Sequence, residues 1–310
     1  MNVRCVTLLI FFVSQSLAAA PLPDVELDAA TERENPATRV PYESGKPPVD
    51  CEERWSDFLP IWGKDACARG YVLPRPFGIS LGYMHQDQPF DVGDVFVNGV
   101  DVKTPGIAVV NEVQNEETTF TLRLDAWILP FWNVYGILGQ TDGEAVGPLQ
   151  VDLAPVFPGL CALPGNNCQL DTRFRIDYQA DVTGLGTTLA GGYKDFFAMI
   201  DLNYTEADLD ISSTDAEATV ISARVGWNGQ LGGFKGVLWV GAMYQDIAQV
   251  LELQLDLGND SANVVIDQST QVPTNFVIGG QWDINRSFSV LAELGLGDRQ
   301  SQMLNFTYRF

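Results

Sequence analysis

His85 is the only histidine of the 310-residue chain and is therefore the first candidate for acid–base chemistry. An imidazole titrates near neutral pH, but as a general base it needs a nucleophile within hydrogen-bond reach. The alternating pattern of residues 77–85 places His85 on one face of a strand with apolar residues, and the next residue on that face is Asp87. No serine stands beside His85 in this pattern. We therefore predict no catalytic residue and no enzymatic activity.

Carboxylates are far more numerous, with 40 Asp and Glu against 18 Lys and Arg and a formal net charge of −22. A chain with this charge repels the phosphates of nucleic acid, so no nucleic-acid partner is expected. The acidic residues crowd segments such as TEADLDISSTDAEA, but they lack the regular spacing of a calcium-binding loop. We interpret them as solvated loop residues and predict no metal site and no cofactor.

Residues 1–18 show the features of a secretory signal peptide in their usual order. A basic residue, Arg4, is followed by the apolar stretch CVTLLIFFV and by the small residues of SQSLAAA. Cleavage fits after Ala18 or after Ala20, and the first is favoured because Pro21 follows the second. The apolar stretch is too short to cross a bilayer as a permanent helix. We predict export of the mature chain into an oxidising compartment.

Four cysteines follow the signal peptide, and four cysteines allow three pairings. In the local pairing Cys51 bonds Cys67 and Cys161 bonds Cys168, which closes the shortest loops. We predict this pairing. A zinc site is the alternative, but the chain has no CxxC pair and only one histidine.

The elements that must position all these residues alternate polar and apolar side chains with a period of two. Segments of about ten residues with this alternation are typical of the strands of a transmembrane barrel. In TFTLRLDAWI, for example, Phe120, Leu122 and Leu124 share one face, and Arg123 and Asp125 share the other. After the signal peptide, no uninterrupted apolar run reaches the roughly 18 residues of a membrane-spanning helix.

A soluble β-sandwich has the same alternation, but the lengths of the connections favour a barrel. Tight turns at GGYKDF, WNGQLGGF and WDINRSF alternate with longer connections at residues 141–181, 206–214 and 248–271. Bacterial barrels place short turns at the periplasmic end and long loops outside. Aromatic residues gather at the short turns, as in an interfacial girdle: Tyr193, Phe196, Trp227, Phe234, Trp282 and Phe288.

We predict an all-β fold, a transmembrane antiparallel up-and-down β-barrel over residues 77–310 with about 12 strands. The segments 93–101 and 105–113 are the least regular, and without them the count is ten. The scheme requires a periplasmic turn at residues 129–131. The predicted strands are 77–86, 93–101, 105–113, 117–128, 131–140, 182–192, 194–205, 215–227, 235–247, 273–284, 286–296 and 301–310.

The inward faces of the predicted strands carry charges of both signs. Buried charges need partners, so mixed signs predict internal ion pairs rather than a ring of one sign that selects ions. A barrel of this size has room between the filled small barrels and the open porins. The predicted lumen residues are Arg123, Asp125, Asp201, Arg224, Asp283, Glu293 and Arg309.

The last strand, which contains NFTYRF, alternates at full contrast, with its apolar side at Leu304, Phe306, Tyr308 and Phe310. This strand resembles the C-terminal assembly signal of Gram-negative outer-membrane β-barrel proteins. The resemblance implies recognition by the barrel-assembly machinery, with Phe310 itself required. It also implies a location in the bacterial outer membrane, in contact with its lipid and lipopolysaccharide. It identifies a broad class rather than a specific family.

Residues 19–76 are predicted to form a periplasmic N-terminal segment. Its first part is rich in acidic residues and proline and is not expected to build a core. Its second part holds four large apolar residues at helical spacing, and Pro60 would kink such a helix. These residues are Trp55, Phe58, Leu59 and Trp62. We predict a disulfide-closed segment that either caps the lower rim of the barrel or plugs its lumen.

The strand GLGTTLAGG bears on that choice. It places small residues on its inward face, namely Gly184, Gly186, Ala190 and Gly192. Such residues leave space for a backbone or a bulky ring, which favours a plug. Glycines also serve simply to bend a barrel strand, which is compatible with a cap.

Three function classes fit this fold. A narrow passive channel for small solutes is favoured by the barrel size and the polar inner face. A structural or surface-interaction barrel, adhesin-like and acting through residues 141–181, is the alternative. An outer-membrane lipid-modifying enzyme is third, and His85 lacks the partner that it would need. The sequence does not indicate the solute, the surface partner or the oligomeric state.

Overall fold

The computed structural model describes residues 58–69, 71, 73–103, 108–110, 112–152, 169–231, 234–256 and 261–310. These residues form one short helix and thirteen strands of one sheet. The elements are α1 (Gly63–Ala68), β1 (Phe77–Val97), β2 (Val100–Asp101), β3 (Ala108–Val109), β4 (Glu112–Leu129), β5 (Trp132–Asp152), β6 (Gln169–Tyr193), β7 (Phe196–Leu209), β8 (Ala216–Leu231), β9 (Phe234–Asp256), β10 (Ser261–Thr270), β11 (Thr274–Asp283), β12 (Phe288–Leu296) and β13 (Gln300–Arg309).

Ten of these strands close into an antiparallel barrel. Around the wall the order is β1, β4, β5, β6, β7, β8, β9, β11, β12 and β13, and β13 pairs with β1 to close the ring. The predicted count of 12 is therefore wrong, and the lower count of ten is right. The segment 93–101 belongs to the end of β1 and to β2, whereas 105–113 contains β3 and the start of β4.

Short turns and the closing seam share one end of the barrel. Leu129 pairs with Trp132 around a two-residue turn, and the backbone groups of Phe77 and Phe310 exchange hydrogen bonds of 3.1 and 3.3 Å at the seam. Barrels of this kind place their short turns in the periplasm. We therefore assign this end to the periplasm, and the turn at residues 129–131 lies at the same end as the other short turns.

The strands are longer than a membrane crossing requires. β1 and β5 have 21 residues each and β6 has 25, whereas a crossing takes about 9–11 residues. The connections predicted as long loops at 141–181 and 248–271 are accordingly mostly strand, in β5, β6, β9 and β10. The loop predicted at 206–214 is shortened by β7, which continues to Leu209.

The outer part of the wall, which we call the collar, contains six strands. The β7–β8 hairpin and the β12–β13 hairpin stop below it, and β10 crosses above the second hairpin to pair with both β9 and β1. The order of the collar strands is β9, β10, β1, β4, β5 and β6. The collar comprises residues 88–97, 112–117, 142–152, 169–180, 248–256 and 261–270.

The outer surface of the ten-stranded part is apolar between two rings of aromatic side chains. The lower ring lies at the short turns and the upper ring lies just below the collar. Of the predicted girdle residues, Tyr193, Phe196, Trp227 and Trp282 are exposed in the lower ring. The upper ring contains Tyr83, Phe120, Tyr204, Tyr244 and Phe276.

The outer part of the collar interior is apolar, whereas the base of the collar still buries polar residues such as Gln88 and Asn115. Along β1, Ile79 and Leu81 are exposed on the outer face, whereas Phe90 and Val92 are buried inside the collar. Along one strand the apolar side chains thus move from the outer face to the inner face. This switch made single strands look like several strands joined by loops, which explains the wrong count. The inner side chains form two clusters that share Ile266, one around Val92, Val95 and Val113 and one around Ala180, Leu209 and Leu251.

The described part of the N-terminal segment is fixed to the periplasmic end. The Ile61 N–H donates to the Ile128 carbonyl at 2.9 Å, and the Trp127 N–H donates to the Pro76 carbonyl at 2.8 Å. These bonds hold the segment beside the end of β4.

The helix predicted around Trp55 to Trp62 is wrong in its described part. Residues 58–62 precede α1, since Pro60 does not fit a helix interior. The side chain of Phe58 is exposed rather than packed on a helical face. Within the described ranges, no helix has the length and hydrophobicity of a membrane crossing.

Several predictions fall on other residues. The signal peptide 1–18 and Cys51, Cys161 and Cys168 lie outside the described residues. The two disulfides therefore stay predictions, with Cys67 in α1 as their described member. The choice between a cap and a plug also stays a prediction.

Candidate functional site

The ten-stranded part encloses a cavity of about 1160 Å³. It begins at the N-terminal segment, which contributes Trp62, Arg69 and Tyr71, and it reaches Phe90 and Leu209 at the base of the collar. Charged side chains concentrate near the periplasmic end, and the apolar clusters of the collar border the outer end. This cavity is the candidate functional site.

One group of charges joins the barrel seam to β4 and β5. Arg309 Nη2 donates to Asp125 Oδ2 at 2.8 Å, and Asn133 Nδ2 donates to the same oxygen at 2.8 Å. Arg123 Nη2 in turn donates to Asn133 Oδ1 at 3.2 Å. Asp125 is buried, so its charge requires these donors. Arg309 also donates to the Arg75 carbonyl at 3.2 Å, which ties the N-terminal segment to the last strand.

Tyr135 continues this network around the wall. The Arg123 guanidinium lies 3.5 Å from the centroid of the Tyr135 ring, and the Tyr135 hydroxyl donates to Asp201 Oδ1 at 2.7 Å. Thr188 donates to the other oxygen of Asp201. The ring fits because Gly186 has no side chain, since a Cβ there would lie 2.3 Å from Tyr135 Cζ. The predicted space for a ring is confirmed at Gly186, and the ring that fills it comes from the wall itself.

Arg224 and Glu293 form the second group. Arg224 Nε donates to Glu293 Oε2 at 2.6 Å and Nη2 donates to Oε1 at 2.8 Å, which is the paired fork geometry of a strong ion pair. Trp239 Nε1 donates to Glu293 Oε2 at 2.6 Å, and Arg224 Nη1 donates to Ser222 Oγ at 2.6 Å. The two charges come from β8 and β12, so the pair spans β9 and β11 along the inner wall.

We call these hydrogen-bonded residues the charge belt. Its three arginines and three carboxylates balance each other, so the belt has no excess of one sign. The belt consists of Arg123, Asp125, Asn133, Tyr135, Thr188, Asp201, Ser222, Arg224, Trp239, Glu293 and Arg309.

Of the predicted lumen residues, Asp283 lies close enough to Arg309 to interact with it electrostatically. It stands at the periplasmic end of β11, half-buried, where it accepts a hydrogen bond from Gln281 at 3.0 Å. The structure brings the other predicted residues together in the charge belt. The sequence was also sufficient to place Asn133 and Tyr135 in the lumen, because both occupy inward-facing positions of the alternating predicted strand 131–140.

Arg299 is a buried charge that no pattern in the sequence indicated. It follows the turn between β12 and β13, at the end where loops normally face solvent, yet it is fully buried. Its guanidinium donates to Asn275 Oδ1 at 2.6 Å, to Gln245 Oε1 at 2.9 Å and to the Met243 carbonyl at 3.3 Å. Arg299 thus anchors the tip of the β12–β13 hairpin to β9 and β11 with neutral acceptors.

His85 lies on the outer face of β1, near the upper aromatic ring, as its parity predicts. Its Nδ1 lies 3.1 Å from Thr118 Oγ1, and its Nε2 lies 3.6 Å from Glu116 Oε1. Both partners belong to the neighbouring strand β4. His85 is therefore directed away from the cavity and the charge belt.

The fold is similar to several solved bacterial barrels at low sequence identity. The outer-membrane protein OprG from Pseudomonas aeruginosa is 15% identical over 76% of this chain and 98% of that chain, with a TM-score of 0.40. The β domain of the Bordetella autotransporter BrkA is 11% identical over 76% and 100%, with a TM-score of 0.36. The toluene transporter TbuX from Ralstonia pickettii is 11% identical over 77% and 90%, with a TM-score of 0.34. No family model and no curated protein matches the chain.

The closed barrel and its outer surface confirm the predicted class. A closed β-barrel satisfies its backbone hydrogen bonds without water, which is the condition for crossing a bilayer with strands. An exposed apolar band between aromatic rings is stable in lipid rather than in water. The protein is an outer-membrane β-barrel in contact with outer-membrane lipid. Recognition of Leu304, Phe306, Tyr308 and Phe310 by the assembly machinery stays a prediction.

Proposed function

We propose that the protein is a narrow passive channel for small solutes. The observation that carries the proposal is the cavity of about 1160 Å³ inside the ten-stranded part. Barrels with a purely structural role are filled by their own side chains when they are small enough. Here the side chains of the wall leave the cavity unfilled, because the large polar residues lie along the wall in the charge belt and the Tyr135 ring lies over Gly186.

The charge belt supports passage that is selective by size more than by charge. Its arginines and carboxylates are bonded to each other or to neutral groups, so they present a wet polar surface without a net sign. A ring of a single sign is the arrangement that selects ions in other pores. The proposal includes no catalytic step, because His85 lies on the outer face with Thr118 and Glu116 as its partners.

Flux through reconstituted protein tests the proposal. Val220 lines the cavity and its neighbour Ile221 is exposed on the outer face of the same strand. In proteoliposome swelling with sugars and amino acids of increasing size, we expect entry of the smallest solutes. Val220→Trp should reduce the swelling rate, whereas Ile221→Trp should leave it at the wild-type value. No swelling above protein-free liposomes, or equal effects of the two variants, would contradict the proposal.

Surface binding is a second candidate, and the collar is the observation that favours it. β5 and β6 continue far beyond the upper aromatic ring, up to Asp152 and from Gln169, and their outer faces carry charged residues such as Glu144 and Arg175. A projecting polar sheet is an available binding surface. Attachment of intact cells to host or abiotic surfaces, with and without the protein, tests this candidate independently of flux.

A further inference from the structure

At the base of the collar, no backbone ladder joins β6 to β9 among the described residues. β6 pairs with β7 only as far as Ala180, opposite Leu209, and β9 pairs with β8 only as far as Ala248, opposite Glu217. Further out, β6 pairs only with β5, and β9 pairs only with β10. At this level backbone ladders join the other collar neighbours, from β9 through β10, β1, β4 and β5 to β6, and the ladder between β1 and β4 ends at Asp91, opposite Glu112.

The loop between β7 and β8, residues 210–215, lies between β6 and β9 here, and we call it the lid. Towards β9 it is held mainly by hydroxyl groups. Ser212 Oγ accepts a hydrogen bond from the Glu252 N–H at 3.1 Å, and Ser213 Oγ donates to Glu252 Oε2 at 2.6 Å. The Thr214 hydroxyl donates to the carbonyl of Val250.

Towards β6 the lid is held by a single residue pair. The Asp210 N–H donates to the Gln179 carbonyl at 2.9 Å, and the Gln179 N–H donates to Asp210 Oδ1 at 2.9 Å. This pair continues the register of Ala180 and Leu209 by one step. The lid is therefore attached to β6 at its first residue and to β9 through side chains.

The lid adjoins residues at the outer end of the cavity. Ala180, Leu209 and Leu251 form a buried cluster there, and Ile211 of the lid packs against this cluster. Leu209, Ala180 and Ala216 also line the cavity. The apolar cluster beneath the lid thus lies between the cavity and the exterior.

We propose that the lid is the outer gate of the channel and that its release from β9 connects the cavity to the exterior. The proposal rests on the proposed channel function. Between the other neighbouring strands at the base of the collar, an opening requires the separation of two paired strands and the loss of a row of backbone hydrogen bonds. At the lid it requires the loss of a few hydroxyl bonds and of one small cluster. Local opening occurs where such contacts are fewest.

A disulfide lock between the lid and β9 tests the gate. Ser213→Cys with Glu252→Cys places two cysteines at side chains that already contact each other across this boundary, where oxidation can join them. In planar bilayers, we expect the oxidised double variant to lose most of its conductance and to regain it when a reductant is added. Glu116→Cys with Glu144→Cys is the matched control, because it joins two collar strands that are already paired. Its conductance should not respond to the reductant.

A second variant tests the gate in the opposite direction. Ser212→Ala with Thr214→Val removes two of the hydroxyls that hold the lid to β9. The loss of two hydrogen bonds should raise the open fraction about tenfold. Ser269→Ala, which removes an exposed hydroxyl from β10, is the control and should behave as wild type.

The outcomes separate the gate from the channel. Conductance that is lost in the locked variant and increased in the unlatched variant supports the gate. A locked variant that conducts like wild type overturns the gate and leaves the channel proposal intact. If neither the wild type nor the unlatched variant conducts, both proposals are wrong.

Discussion

The ten-stranded part and the collar share continuous strands such as β1, yet the apolar face of these strands is outside in the first and inside in the second. Below the upper aromatic ring, β1 directs Ile79 and Leu81 outward and Ser80 inward. In the collar the same strand buries Phe90 and Val92 inside. Lipid surrounds the lower part and water surrounds the collar. The apolar face is therefore the outer face in the lower part and the inner face in the collar. Alternation alone fixes which residues share a face and leaves open which face is inside.

The two regions are also stabilised by different forces. The lower interior is held by the charge belt, in which each buried charge depends on specific donors and acceptors. Above a small polar group of Asn115, Glu117 and Tyr178 at its base, the collar interior is held by apolar contacts, whose contribution decreases gradually as side chains become smaller. A substitution should therefore cause a large loss of stability in the belt and a graded loss in the collar.

The largest expected effect is the loss of one partner from the belt. Glu293→Ala leaves the Arg224 guanidinium and the Trp239 N–H without their acceptor, and breaking a buried pair in this way costs about 3–5 kcal/mol. Urea unfolding in detergent, followed by tryptophan fluorescence, measures this change in the free energy of unfolding. The double variant Arg224→Leu with Glu293→Leu removes both charges and should recover most of the loss. A single variant as stable as wild type would show that the belt does not hold the barrel.

The collar should respond less strongly to a comparable truncation. Leu251→Ala removes a buried side chain from the cluster beneath the lid, and large-to-small changes of this kind cost about 2–3 kcal/mol at the lower end of their range. The adjacent Val250 is exposed, so Val250→Ala is the matched control with a smaller effect. Equal losses for the two variants would mean that the collar interior is not packed as described.

The terminal strand offers a contrast between stability and assembly. Phe310 stacks on Phe77 at 5.9 Å and on Tyr308 at 5.8 Å, and burial of this kind contributes roughly 1.5 kcal/mol. Phe288 has similar ring contacts in the same region and lies outside the last strand. Phe310→Ala should lower outer-membrane levels in cells much more than Phe288→Ala, with similar refolding yields in detergent. Equal membrane levels would show that the Phe310 ring is ordinary packing.

The smallest effect is expected on the outer face of the collar. Glu116→Gln changes an exposed carboxylate whose partner is His85 at 3.6 Å. Such surface changes usually alter the free energy of unfolding by less than about 0.5 kcal/mol. The same urea titration measures it, and a loss comparable with that of Leu251→Ala would contradict the assignment of this face to water.

The sequence was sufficient for the barrel because alternation and turn spacing report directly on strands that face lipid. It placed Arg123, Asp125 and Glu293 on the inner wall for the same reason. It failed where the apolar face changes sides, because the pattern around residues 84–93 resembles a break between strands. It also missed Arg299, since its burial depends on the distant strands β9 and β11 that supply Gln245 and Asn275.

The exchange of faces between the two regions is tested most directly by a spin-label scan along β1. Single nitroxides are placed at each position from 77 to 93 in reconstituted protein, and collisions with oxygen and with a nickel chelate report lipid and water exposure. We expect oxygen accessibility at 77, 79, 81 and 83, then chelate accessibility at 87 and 91, with neither reagent reaching 90 and 92. Oxygen accessibility that continues with the same period to residue 93 would contradict the account, because the collar would then face lipid.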